Sequence, residues 1–360
     1  MHRLYFILLF YTSTALAQSP LTAKLDSFFR TQPAAAPGIV LSIEKNGAVV
    51  YRNNAGLANL STKTPLDSFS NFRLASMTKQ FTAMGILLLE KDGRLTVDDP
   101  IGRWLPELPA GIGHKVLIRH LLTHSSGVLD YESLIPAAQT TQVLDADVLR
   151  LLSQHDSTYF PSGSQFRYSN SGFCLLALII EKVSGQSFAG FIKERIFLPL
   201  HMDNSTVYQQ GQPIANRAIG YAKDSAGTVM PSDQSITSAT KGDGGIYTSL
   251  VDYSKWTRAL QENTLLKLPA ALHRLRFPIA GDSYYAAGWF IKGFSPVILF
   301  HSGSTCGFQN FVIQVPGDEW TIVCFSNLAD NIAPFRDILK ILKDTGMYDL
   351  QVWSLHDLTR

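Results

Sequence analysis

Apolar and polar positions alternate with different periods along this chain, and each period predicts an element. Leu21, Leu25, Phe28 and Phe29 recur at helical spacing, predicting a helix that ends before Pro33. Residues 38–44 and 48–53 are β-rich runs joined by Lys45-Asn46-Gly47, and Asn-Gly is a strong hairpin signal. Residues 76–91 predict a helix, with Gly93 past its end; it is apolar on nearly all sides and so belongs in the interior. From about Thr96 to Ala271 the pattern gives helical pieces separated by loops rich in proline, glycine and serine. The clearest of these helices are 173–183 and 188–196. The character changes near Tyr284, after which 287–291, 297–300, 308–315 and 320–327 form a predicted strand meander. Phe335, Ile338, Leu339 and Leu342, opposite Arg336, Asp337, Lys340 and Lys343, mark a closing amphipathic helix.

Strands thus open and close the chain, and helices lie between. The predicted class is α+β: an antiparallel sheet built from both ends, flanked by the terminal helices, with an inserted and mainly helical lobe. The sheet lobe covers about 21–75 and 284–345, the helical lobe about 76–283, and 346–360 is a tail. Position 76 falls at the junction of the lobes, where clefts favour ligands.

Composition narrows this picture. In 360 residues, 46% are apolar and 17% charged, which suits a packed core and excludes disorder. Lysine plus arginine number 31 against 29 acids, with no basic stripe, so nucleic acid is not an expected partner. His2 and Arg3, the apolar run 4–11 and Ala15-Leu16-Ala17 predict an export signal (1–17) cut after Ala17, and hence a periplasmic or secreted protein. No later segment has transmembrane character, and a monomer is expected. Cys174, Cys306 and Cys324 are too few for a disulfide framework. A hairpin around Pro316-Gly317 would set Cys324 opposite a residue near Phe311, out of reach of Cys306, so free thiols are expected.

Three clusters carry candidate chemistry. In Ser76-Met77-Thr78-Lys79, residues three apart share a helix face, so hydroxyl and amine can meet. A serine needs a neighbouring base to become a nucleophile, and a lysine serves when its surroundings keep it neutral. The same spacing recurs at Ser42–Lys45 and Ser238–Lys241, in a strand and a polar loop, but only Ser76 opens a buried helix. Ser76 is therefore either a nucleophile or a helix cap. Tyr168-Ser169-Asn170 precedes an apolar helix: either a phenol relays a proton beside a polar amide, or Asn170 caps the helix and Tyr168 is an ordinary aromatic. His301-Ser302-Gly303 ends a predicted strand, where glycine permits close approach of another backbone. A substrate pairing with that edge would set its carbonyl near the N–H of Ser304, which with the N–H of Ser76 forms a two-donor oxyanion hole. The other reading is a tight turn with an incidental histidine. His120 and His124 have the spacing of a helical zinc pair, but Leu121 stands where a zincin needs glutamate. Neither a metal nor an organic cofactor is expected.

With these clusters in hand, the chain resembles the serine hydrolases related to class C β-lactamases and penicillin-binding DD-peptidases. The resemblance covers most of the chain and includes Leu121-Leu122-Thr123-His124-Ser125-Ser126-Gly127, Asp98-Asp99-Pro100 and Gly242-Asp243-Gly244-Gly245. It implies Ser76 as nucleophile, Lys79 as its proton acceptor and Tyr168 as proton shuttle to the leaving group. It implies Asn170 as a ligand of the substrate amide, Ser304 as an oxyanion donor, and His301 and Gly303 as part of the substrate-binding strand. Histidine replaces the lysine of the class C third box, which is similar to certain DD-carboxypeptidases, D-aminopeptidases and esterases of this fold. Lys292 is a candidate source of the missing charge. The implied activity is acyl transfer through Ser76 on amide bonds of D-amino-acid peptides, then small esters, then β-lactams. The alternative is a receptor of the same fold that binds penicillin or peptidoglycan without turnover. Expected partners are small molecules or short peptides, including those derived from cell wall.

Overall fold

The computed structural model describes residues 19–293 and 296–346. The expected signal 1–17 and all but the first residue of the expected tail 346–360 lie outside the described residues.

Helix α1 (Pro20–Arg30) starts as its sequence directs: Ser19 caps it by accepting from the backbone N–H of Thr22, and Pro20 fills the first turn. It buries Leu21, Leu25 and Phe29. Strands β1 (Ile39–Lys45) and β2 (Ala48–Ala55) follow as an antiparallel hairpin. Asn46 and Gly47 turn it with φ of 51° and 69°, the left-handed pair that a two-residue loop requires.

The rest of the main sheet comes from late in the chain: β3 (Phe277–Ala280), β4 (Ser283–Ala286), β5 (Trp289–Lys292), β6 (Ile298–Thr305), β7 (Phe308–Val315) and β8 (Trp320–Ser326). These pair as an antiparallel meander, and β1 then joins β8 with Ile39 opposite Ser326, so the order is β3-β4-β5-β6-β7-β8-β1-β2. Both chain ends therefore build one sheet, as the sequence pattern predicts. The sheet begins at Phe277, earlier than the expected boundary near 284, because one short strand, β3, precedes Tyr284, which itself lies in β4. Cys324 lies opposite Phe311, and the three cysteines are free thiols.

Alternation along the strands sends side chains to two cores. Leu41, Ile43, Phe311, Ile313 and Cys324 pack with α1 and with Phe335, Ile338 and Leu342 of α7 (Ile332–Asp344). The opposite face, with Val40, Val312, Val323 and Phe325, packs on the helical region. The middle of that region is α2 (Lys79–Lys91), buried from Lys79 through Leu89. Phe81 stacks on Trp256 of α5 (Leu250–Gln261) at 4.2 Å. Helix α4 (Asn170–Ser184) lies beside α2, α3 (Asp145–Leu152) packs on α4, and α6 (Leu268–Leu275) follows α5. Gly85 gives α4 room on α2: a Cβ there would lie 2.8 Å from Cδ1 of Ile180. The predicted helix 188–196 breaks after Ile192 into a wider π turn, Lys193–Phe197. Among the described residues, no single helix is long and apolar enough to cross a membrane.

Candidate active site

Ser76 does not open an α-helix directly. It lies in a 3-10 turn, Ala75–Thr78, that runs straight into α2. Ala75 has a φ of +51°, a conformation costing a non-glycine residue about 1–3 kcal/mol and often found where geometry is held for function. Leu74 occupies the cap position and makes no side-chain cap bond, so capping does not use the Ser76 hydroxyl. Its neighbours Ala75, Met77 and Thr78 are buried, whereas Ser76 is half-exposed. The cap reading is removed, and a reachable hydroxyl remains.

Lys79, wholly buried, places Nζ 3.1 Å from Ser76 Oγ. The amine donates to Asn170 Oδ1 at 2.8 Å and to the backbone carbonyl of Asp243 at 3.0 Å. Two of its positions are thus occupied by carbonyl oxygens, and the third faces the serine. In an amine that third position is the lone pair. Nζ also lies over the ring of Tyr168, 5.0 Å from its centre.

Asn170 is free for this task because Ser169 caps α4, its hydroxyl accepting from the N–H of Gly172. Tyr168 is fixed by its ring. His124 lies 4.1 Å from it, and Phe290 stacks parallel to it at 6.3 Å. Among the described residues, Tyr168 Oη has no hydrogen-bond partner. His124 accepts from the N–H of Ser169 through Nδ1, and burial pushes its pKa well below the ordinary range. It is a neutral brace for the second cluster. His120 accepts from the N–H of Leu117, so both histidines of the candidate zinc spacing serve local structure.

The third cluster sits inside a strand, not at its end: β6 continues five residues past Phe300 to Thr305, and the tight-turn reading falls. A Cβ on Gly303 would collide with the carbonyl oxygen of Leu74 and come within 3.3 Å of Cβ of Ala75. Glycine is needed there because the strand lies directly against the backbone that carries the serine. Asn310 locks this contact by donating to the carbonyl of Arg73 at 2.9 Å. On β6, β5 pairs with Ile298–Phe300, so the Ser302–Thr305 stretch extends beyond it along that edge, with Ser304 exposed. Such an edge is suited to an extended substrate backbone.

Two expectations change. The His301 side chain is not exposed on the strand edge. It is buried, 3.2 Å from the hydroxyl of Tyr285 and 2.5 Å from its own neighbour's carbonyl, Ser302 O, and burial pulls its pKa down to about 3. It is neutral near pH 7. Lys292 is not a substitute cation either. It pairs with Asp282 at 3.1 Å and sits opposite Ile298, five residues from Gly303, or about 16 Å along the strand.

One residue escaped the sequence reasoning. Glu132 accepts from Asn170 Nδ2 at 2.9 Å, placing a carboxylate at the cleft beside the amide that holds Lys79. Partial burial raises its pKa, and the bond from Asn170 opposes that rise. Only its place in the loop after Tyr131 hinted at a cleft position.

This arrangement joins a serine, an amine, a phenol and a strand edge, and the comparisons agree with it. A family description, Beta-lactamase, matches residues 25–345. The chain belongs to the β-lactamase family. Within that family it is 34% identical over 323 residues to penicillin-binding protein 4* of Bacillus subtilis, covering 84% of this chain and 70% of that relative. It is 28% identical over 307 residues to Protein flp of Staphylococcus aureus, covering 83% of this chain but only 61% of that relative's length. Its fold matches a penicillin-binding protein from Bacillus halodurans with a TM-score of 0.78 at 27% identity, over 91% of this chain and 99% of that one. It also matches the D-amino acid amidase of Ochrobactrum anthropi SV3 (TM-score 0.76, 23% identity, 91% and 100% covered), a likeness of fold alone. The α+β class with a large antiparallel sheet, and the membership among β-lactamase-fold serine hydrolases, follow from these matches.

Proposed function

We propose that the protein is an exported hydrolase that acylates Ser76 and then releases the acyl group to water, acting on amide bonds of D-amino-acid peptides and on small esters. The observation that carries this reading is the three-way hold on Lys79, shared between Ser76 Oγ, Asn170 Oδ1 and the Asp243 carbonyl. Lys79 takes the proton as Oγ attacks the substrate carbonyl. The N–H groups of Ser76 and Ser304 hold the oxygen that becomes negative, each such donor being worth about a hundred- to a thousand-fold in rate. Tyr168 relays that proton from Lys79 to the leaving amine or alcohol, and water then attacks the acyl carbonyl, giving its proton back by the same route to free the serine. The neutral His301 and the distant Lys292 supply no cation for a terminal carboxylate, while Glu132 adds negative charge next to Asn170. Both favour neutral or ammonium-bearing substrates over carboxylate-bearing β-lactams.

The test compares turnover of a chromogenic ester, a D-alanyl anilide and a chromogenic cephalosporin by wild type and Ser76→Ala. Steady turnover of the first two, lost about a million-fold in the variant, is the expected result. A single stoichiometric burst with no steady turnover of any of the three would instead identify a receptor, and turnover that survives Ser76→Ala would refute the nucleophile.

A further inference from the structure

A buried carboxylate that touches neither serine nor substrate ties down the loop that fixes Lys79. Asp145, in the first turn of α3, is 6% exposed. Its two oxygens accept from the N–H of Lys241 at 3.2 and 3.0 Å, and Oδ1 accepts from the N–H of Gly242 at 3.2 Å. The next residue, Asp243, offers the carbonyl that holds Lys79 Nζ. On its other side the loop is fastened to the nucleophile's helix. Thr82 donates to the carbonyl of Gly242 at 2.7 Å, and Thr78 accepts from the N–H of Ile246 at 3.1 Å. A Cβ on Gly242 would collide with the carbonyl of Phe173, so this backbone has no room to drift toward α4.

We propose that Asp145 is a positioning residue for acyl transfer: by gripping the backbone of residues 241 and 242, it sets the Asp243 carbonyl that aims Lys79 at Ser76. This rests on the reading of Ser76 and Lys79 given above. Several ionisable groups face it. Asp243 lies in the loop it grips, Lys241 beside that, Cys174 on α4 shares a hydrogen bond with its carboxylate, and Tyr131 and Lys79 border the same buried cluster. Burial, then the neighbouring Asp243, raises the pKa of Asp145 to about 7, while the two backbone donors oppose the rise. The grip is thus strongest when Asp145 is ionised, and it weakens on protonation around neutrality.

Asp145→Asn keeps the shape but turns an N–H group toward a backbone donor. The expected result, with a chromogenic ester, is a kcat about 10- to 100-fold lower with KM within about twofold. The limb of log(kcat/KM) near pH 7 should disappear, whereas Asp147→Asn, a half-buried acid on the same helix that does not touch the 241–242 backbone, should keep it. A purely structural defect would lower the amount of folded enzyme without moving that limb. Thr82→Val removes the opposite fastening and leaves Asp145 intact. It should lower kcat with KM unchanged and retain the limb, and it decides the matter if Asp145→Asn fails to fold. Wild-type kcat in either folded variant, or a limb near pH 7 that persists in Asp145→Asn, would overturn the proposal. Failure of the underlying reading would show separately, as wild-type activity independent of Ser76.

Discussion

The chain holds the same Ser-x-x-Lys spacing at Ser76–Lys79 and at Ser42–Lys45, yet only one of these regions is built for chemistry. In the tight turn leading into α2, the two side chains meet at 3.1 Å, and the hydroxyl is reachable. In β1, residues three apart point to opposite faces. Ser42 is wholly buried, donates to Glu44 at 2.9 Å and accepts from Arg52, while Lys45 crosses to the other face and lies 4.8 Å above the ring of Trp320. Identical residue types at identical spacing become a direct hydroxyl–amine contact at a reachable serine in one place and separate structural polar contacts in the other. Backbone period decides which.

Substitutions can break this comparison, beginning with the largest effect. Lys79→Ala should lower kcat/KM for an ester by about 10³–10⁴-fold, whereas Lys45→Ala should leave it unchanged within error, by steady-state kinetics. Equal losses would mean that the spacing, and not the turn, carries the signal. Next, Gly303→Ala forces a methyl group into the Leu74 carbonyl and shifts either β6 or the serine turn. A loss of about 100-fold in kcat/KM with folding preserved by circular dichroism is expected; an undiminished rate would separate the strand from the reaction.

A third effect concerns pH. His301 has its pKa lowered from 6.5 to about 3 in the folded protein, so below pH 6.5 the unfolded chain binds a proton that the folded one refuses. Its contribution is fully present above pH 6.5 and is lost as pH falls toward 3. Between pH 6.5 and 4.5 the loss should be about 2–3 kcal/mol, seen in urea unfolding of wild type and reduced in His301→Gln. Smallest is Ser42→Ala, which should cost about 1–2 kcal/mol of stability and leave catalysis intact. A kinetic effect there would show that the two serine regions are coupled.

What the sequence made legible follows the range of the interactions concerned. The Asn46-Gly47 hairpin and the strand Phe308–Val315 depend on local turn chemistry and period-2 alternation, and the structure reproduces both. Strands β3 and β4 were missed because they have four residues each, β3 lies at the sheet edge and Pro278 interrupts it. The helix after Ser76 was legible, but its opening 3-10 turn was not, since Ala75, at a φ of 51°, packs against Gly303 and Gly244 from distant parts of the chain. The burial of His301 arises from contacts with Tyr285 and Phe290 across the sheet, and Glu132 meets Asn170 across 38 positions of chain. No local pattern carries such pairings.

The most direct measurement is peptide mass mapping after rapid acid quench of the enzyme with a slowly hydrolysed ester. The account predicts an acyl group on the peptide containing Ser76, formed more slowly in Lys79→Ala and absent in Ser76→Ala. Acylation at another residue, or hydrolysis with no covalent adduct, would contradict it.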